Sequence, residues 1–293
     1  MTVLTAQGIS SLAVELLTRT LVLPMTVSRI PGAEFSGSNG DTITVRVPQP
    51  STARTQAAPG ATITYDDVDE VPVDVTLSHL YHAKLVSDQE LSLDLEDFGR
   101  QITRVQVAAV ATRAEGLIAA AMNGLSADLE IDADGGNIDA IVLEAREQLG
   151  RADVPLDGRY LAVSPEVATF VLAQDNVTRV DASGNPSALR EAVITRWRGF
   201  WVVESAGLSA GTALAYHRSG FAFANRVPVV PRGATSSATA ESGGIGMRQI
   251  FQYASDKLSD ATVVSTFAGA AAVPDNDSGT AFPRIVKLET AAS

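Results

Sequence analysis

DTITVRV (41–47) and VPVDVTLSHLYHAKLV (71–86) set apolar and polar side chains in strict alternation. A period of two predicts half-buried strands. Ile43, Val45 and Val47 share one face of the first, and Val71, Val73, Val75 and Leu77 share one face of the second. Pro72 lacks a backbone donor and suits an edge strand or its start. Between them, PQPSTARTQAAPG (48–60) holds three prolines and almost no large apolar side chain, which predicts an extended loop tip. ATITY (61–65) alternates again, and Asp66, Asp67, Asp69 and Glu70 form an acidic cluster before the return strand. Residues 40–86 therefore read as a long β ribbon with a polar tip. An isolated ribbon is marginally stable in water, and its open edges favour pairing with another chain. The reading requires a supporting surface, and a neighbouring copy can supply it.

Outward from the ribbon, residues 8–23 predict an amphipathic helix stopped by Pro24, followed by an irregular arm to Gly40. After the ribbon, Leu95, Phe98, Ile102, Val105, Ala109, Leu117, Ile118 and Met122 recur at helical spacing, predicting a helix over 94–122 closed by Asn123-Gly124. At 1.5 Å per residue it is about 40 Å long. Its many alanines keep it thin. SADLEIDADGG (126–136) marks a boundary before an αβ segment. There Asn137 precedes a stripe of Ile138, Ile141, Val142, Ala145 and Leu149, and strand 159–164 meets a helix with Ser164 as N-cap and Pro165 at its first position. A polar loop (174–187), a short helix (188–194) and strands at 200–204, 212–217 and 221–230 come next. RGATSSATAESGG (232–244) reads as flexible, and IGMRQIFQYA, ATVVSTF and RIVKLE predict the last strands.

Composition narrows the function. The 293 residues carry a formal net charge of -12, which opposes a phosphate-gripping nucleic-acid binder. The 45% hydrophobic content excludes a disordered chain, and aromatics at 5% leave the core to aliphatic residues. With no cysteine there is no disulfide framework, thiolate metal site or cysteine nucleophile. Neither a signal-peptide pattern nor an uninterrupted apolar run of about 20 residues occurs, so a soluble intracellular protein is expected.

The candidate chemical motifs each have a plainer reading. Gly207-Leu208-Ser209-Ala210-Gly211 fits the nucleophile-elbow pattern of serine hydrolases, but TALAYH (212–217) behind it reads as a strand, and no carboxylate stands between Ser209 and His217. Glu130, Asp132, Asp134 and Gly135 echo a calcium loop, but its twelfth position is Ile141; a solvated acidic loop is expected. His79 and His82 fall on opposite strand faces, a poor geometry for one metal. Gly243-Gly244-Ile245-Gly246 lacks the dinucleotide spacing, and Trp197 and Trp201 suit packing better than base stacking in so acidic a chain. No catalytic, cofactor or metal site is expected.

The order of parts, together with VTLSHLYHAKLVSDQELSLDLEDFGRQI, RYLAVSPEVATFVL, GFWVVESAGL and GMRQIFQYASDKLSDATVVSTFAGAAAV, resembles the Hong Kong 97-type fold of tailed-bacteriophage major capsid proteins, in the coat-protein branch common in actinobacteriophages. The likeness covers nearly the whole chain. It implies an α+β fold with an N-terminal arm (1–39), an extended loop (40–86), a peripheral domain (68–129 and 221–293) containing the spine helix 94–122, and an axial domain (130–220). It implies a non-enzymatic subunit of an icosahedral phage head, self-assembling into hexamers and pentamers that enclose double-stranded DNA. The protein would be assembled in the host bacterial cytoplasm and would reside in the virion. Arg46, Arg54, Asp66, Asp67, Asp69 and Glu70 would then make inter-subunit charge contacts. A separate scaffolding protein is the expected partner, because the arm before Pro24 is too short for a built-in scaffold. A portal and a decoration protein belong to the same expectation. Some relatives cross-link through a lysine in the extended loop; here its only lysine is Lys84, at the base, so no such link is expected. An encapsulin, a bacterial compartment shell of the same fold, is the alternative reading.

Overall fold

The structure is a computed structural model. It describes residues 22–30, 42–48, 53–56, 58–60, 62–65, 70–89, 102–174, 196–234, 236–242, 245–276 and 278–291. The expected helices over 8–23 and 188–194, and the first turns of the 94–122 helix, lie mainly or wholly outside these residues.

A single turn, α1 (Leu23–Thr26), leads to a short strand, β1 (Ser28–Ile30). Pro24 lies in the first turn of this short helix, where its missing N–H costs no hydrogen bond. β2 (Thr42–Pro48) and β3 (Glu70–Thr76) pair antiparallel, with Thr42 opposite Thr76 and Pro48 opposite Glu70. The strand expected over 71–86 divides at Leu77: β3 stays in the ribbon, and β4 (Ser78–Ser87) leaves it to join a large sheet. Residues 62–65, which alternate like a further strand, form no regular structure and are exposed.

The long helix is α2 (Arg104–Asn123), closed where Gly124 N donates to the Ala120 carbonyl. Its buried face keeps Ile102, Ile118 and Met122 of the expected stripe but departs from it at two positions. Val105 and Ala109 face solvent, while Ile102, Gln106, Val110, Ala114, Ile118 and Met122 face inward. The sequence hides this because a glutamine occupies the core row. Gln106 is tolerated there because its amide donates to the carbonyls of His82 (3.3 Å) and Thr262 (3.0 Å).

Chain order continues through β5 (Leu129–Ile131), α3 (Ile138–Arg151), β6 (Arg159–Val163), α4 (Pro165–Leu172), β7 (Arg196–Trp197), β8 (Phe200–Glu204) and β9 (Thr212–His217). It ends with β10 (Phe221–Arg226), β11 (Ser236–Ser242), β12 (Ile245–Ala254), β13 (Ser259–Ala272) and β14 (Ile285–Thr290). In α4, Ser164 accepts from Val167 N and Pro165 opens the helix, as expected. β11 corrects the expectation of a flexible segment. Its small Ser, Thr and Ala side chains give little periodic signal, but antiparallel pairing with β12 from Ser236–Phe251 to Ser242–Ile245 satisfies its backbone.

Among the described residues, two six-stranded sheets form beside the two-stranded ribbon. The first runs β1-β10-β13-β12-β11, with β4 also paired to β13. The second runs β5-β14-β9-β6-β8-β7. β14, expected with the peripheral strands, pairs instead with β9 and β5 in the second sheet. The largest core cluster joins α2 to the first sheet through Val107, Val110, Ile118, Phe221, Phe223, Met247 and Val264. A second buries α3 and α4 on the second sheet through Ile138, Val142, Leu149, Leu161, Val167 and Phe200. Lys287 of β14 bridges the two units: its buried ammonium donates to the Asn123 and Leu125 carbonyls at the end of α2, at 3.0 and 2.8 Å. A cation there meets the negative end of the helix dipole. By length and composition α2 could cross a membrane, but its inward row is packed against the first sheet.

Candidate functional site

The ribbon divides into a covered stem and an uncovered tip. Its stem is anchored: Val71, Val73 and Val75 are buried against Ile30, Ala222, Ala224 and Val273, forming a third core cluster. This corrects the expectation that the whole ribbon lacks a surface within its own chain. The anchoring is close. At Gly269 of β13, a Cβ would fall 2.3 Å from the Thr76 carbonyl oxygen, so only glycine lets the two backbones meet there.

Every described residue of the tip, in 53–56, 58–60 and 62–65, is exposed. Ile63 is 54% and Tyr65 85% exposed, far beyond what such side chains show in a settled core. Gly60 turns the chain with φ +84° and has no neighbour within 4 Å of a would-be Cβ. The tip is a mainly polar segment that carries two large apolar side chains, Ile63 and Tyr65, out into solvent beyond the anchored stem.

The expected contact residues divide. Arg46 Nη1 and Glu70 Oε2 lie 3.3 Å apart across the stem, an exposed pair within one chain. Next to them, Thr44 Oγ1 donates to Asp74 Oδ1 at 2.7 Å. Arg54 is exposed at the tip. Asp66, Asp67 and Asp69 lie outside the described residues.

On β4, Leu80 and Val86 face the core while Tyr81 (68% exposed) and Leu85 face solvent. The His79 ring lies 4.6 Å from Phe267, so it packs as an aromatic. His82 gives its carbonyl to Gln106.

The motif residues sit in structural roles. The 207–211 turn joins strands β8 and β9, where an elbow needs a helix, and Ser209 N donates to Asn123 Oδ1 at 3.0 Å. His217 Nδ1 faces the Ser219 hydroxyl at 2.8 Å, and burial holds its imidazole below the usual range. The acidic loop is stitched by its own backbone: Asn137 Oδ1 accepts from Asp132 N, and Asp134 Oδ1 from Gly136 N. Among the described residues no three His, Asp or Glu side chains converge on a metal position. Trp197 is buried in the second core, and Trp201 lies under Arg196 at 5.8 Å.

One feature had no signal in the sequence. The β7–β8 turn places Arg198 at φ 49° and Gly199 at φ 92°. The Arg198 guanidinium clasps both oxygens of Asp139 at 2.6 Å, which fixes the turn to the start of α3.

Comparison with known proteins assigns this architecture. The sequence profile of the phage capsid proteins matches residues 97–278. The chain belongs to that family. It is a structural protein, a capsid subunit, and its place is the virion. Comparison with curated proteins finds no match. Solved structures share the fold. A Mycobacterium phage Che8 structure is 21% identical with a TM-score of 0.62, covering 92% of this chain and 90% of that one. The capsid of cyanophage P-SCSP1u is 13% identical with a TM-score of 0.63, covering 93% and 89%. A virus-like particle from Pyrococcus furiosus is 13% identical with a TM-score of 0.56, covering 96% and 97%. The expected α+β capsid fold is borne out.

Proposed function

We propose that this capsid protein builds an icosahedral phage head from hexamers and pentamers enclosing double-stranded DNA, and that the ribbon tip of each copy rests on a neighbouring copy. The observation that carries the reading is the contrast within the ribbon: buried valines in the stem, exposed Ile63 and Tyr65 at the tip. An exposed apolar surface on an anchored arm gains free energy by burial against a partner. Shell repetition supplies that partner at every position.

In this reading Arg54, and the acidic tract Asp66, Asp67, Asp69 and Glu70, meet opposite charges on adjacent copies. Arg46 is shared between its own Glu70 and a neighbouring carboxylate. Each exposed pair contributes at most about 1 kcal/mol, so the charges set register and the apolar tip supplies affinity. A separate scaffolding protein guides curvature, a portal occupies one vertex, and a decoration protein is a further partner. DNA is held by enclosure, consistent with the acidic chain. The protein has no enzymatic activity in this role.

The test replaces residues 50–66 by a short Gly-Asn turn and expresses the protein with and without a candidate scaffold. Electron microscopy should show shells for the parent and only free subunits or capsomers for the variant. Shells of normal size from the shortened chain would defeat the reading. Nuclease-protected DNA inside particles from infected cells supports a phage head; protein cargo in place of DNA would favour the encapsulin alternative.

A further inference from the structure

Three arginines from separate elements converge at the free edge of the second sheet. A cavity of about 80 Å³ there is lined by Arg146 of α3, Arg159 at the start of β6, Arg196 of β7, and Leu156, Gly199 and Phe200. Arg159 is 2% exposed and forms the floor, donating to the Pro155 carbonyl at 2.8 Å, Val154 at 2.5 Å and Arg146 at 3.4 Å. The Arg146 guanidinium lies across Gly199, where a Cβ would come within 3.5 Å of its Nε. Arg196 stacks over Trp201.

The charge in this cavity is unbalanced. Two acids of α3 are committed elsewhere, Glu147 to Arg151 and Asp139 to Arg198. Among the described residues no carboxylate pairs with Arg146, Arg159 or Arg196. Burial, and then the charge of Arg146, hold the Arg159 guanidinium below its usual range, as expected for neighbouring cations without an anion. Three guanidinium groups around one small cavity make it a concentrated positive feature in a chain of net charge -12, with the planar donors that suit an anion.

We infer that this cavity receives a carboxylate side chain from a second copy of the chain, making it a capsomer contact; the inference rests on the shell-forming reading above. Surplus carboxylates on every copy supply the charge complement. Leu156, 66% exposed, and Trp201, 44% exposed, stand beside the cavity. Arginine and tryptophan with an exposed aliphatic neighbour is the composition of a protein–protein anchor. A DNA phosphate has no use for the apolar lip. The contact joins unlike faces of two copies, the kind that closes a ring.

The test compares the parent with the Arg146→Glu, Arg196→Glu double variant. Both side chains are exposed, so thermal melting of the subunit should match the parent. Native mass spectrometry should then show capsomers only at protein concentrations about tenfold or more higher, a loss on the scale of one charge-assisted contact. Should the double variant fail to fold, Arg196→Gln alone is to shift the same threshold less, and in the parent the threshold is to rise between 150 and 500 mM salt. An unchanged threshold overturns the inference. So does normal assembly coupled with lost binding of a 30-base-pair duplex in fluorescence anisotropy, which would assign the cavity to phosphate. Failure of the parent itself to assemble overturns the shell reading first, and this inference with it.

Discussion

The two ends of one ribbon show opposite physics. At the stem, alternation has a receiving surface: Val71, Val73 and Val75 enter a cluster with Ile30, Ala222, Ala224 and Val273. At the tip, 62–65 carries the same alternation, and both Ile63 and Tyr65 point into solvent. A period of two thus specifies which side chains share a face and not whether the chain itself covers that face. The part that holds the arm rigid is supplied within the subunit; the part left uncovered is the part a shell can use.

Three substitutions in the subunit sharpen this contrast. Val75→Asp, at a fully buried position, should have the largest effect: an unpaired carboxylate in the third cluster costs roughly 3 kcal/mol or more, seen as an earlier chemical-denaturation midpoint. If the midpoint stays put, the stem is not anchored as described. Gly269→Ala should cost about 1–3 kcal/mol, because the new Cβ meets the Thr76 carbonyl at 2.3 Å and the ribbon root must shift. Faster hydrogen exchange in β3 than in β12 would locate that shift, and uniform exchange would argue against it. Arg46→Ala should change subunit stability by less than about 1 kcal/mol, since its side chain is 76% exposed beside Glu70. A double-mutant cycle with Glu70→Ala measures the pair, and a coupling well above that value would mean the stem depends on charge.

Legibility followed the same division. The strands at 41–47 and 71–76, the Ser164-Pro165 helix start and the row Ile138, Val142, Ala145 and Leu149 could be read because periodicity and capping are local. Part of the face of α2 could not, because Gln106 is made apolar-compatible by carbonyls from β4 and β13, although Ile102, Ile118 and Met122 were read correctly. β11 was hidden because its order comes from β12 and its own side chains are small. The candidate contact residues were legible as charges, but the Arg46–Glu70 pairing depends on register across the ribbon. The arginine cavity was invisible in sequence, since Arg146, Arg159 and Arg196 meet only after α3, β6 and β7 are in place.

The central claim is that the tip serves the assembly and not the subunit. It is tested most directly by substituting Ile63→Asp and Tyr65→Asp together, melting the isolated subunit and weighing assembled particles by analytical ultracentrifugation. The account predicts subunit stability within about 0.5 kcal/mol of the parent and shells reduced at least tenfold. A subunit destabilised as severely as Val75→Asp, or shells formed as readily as before, would contradict it.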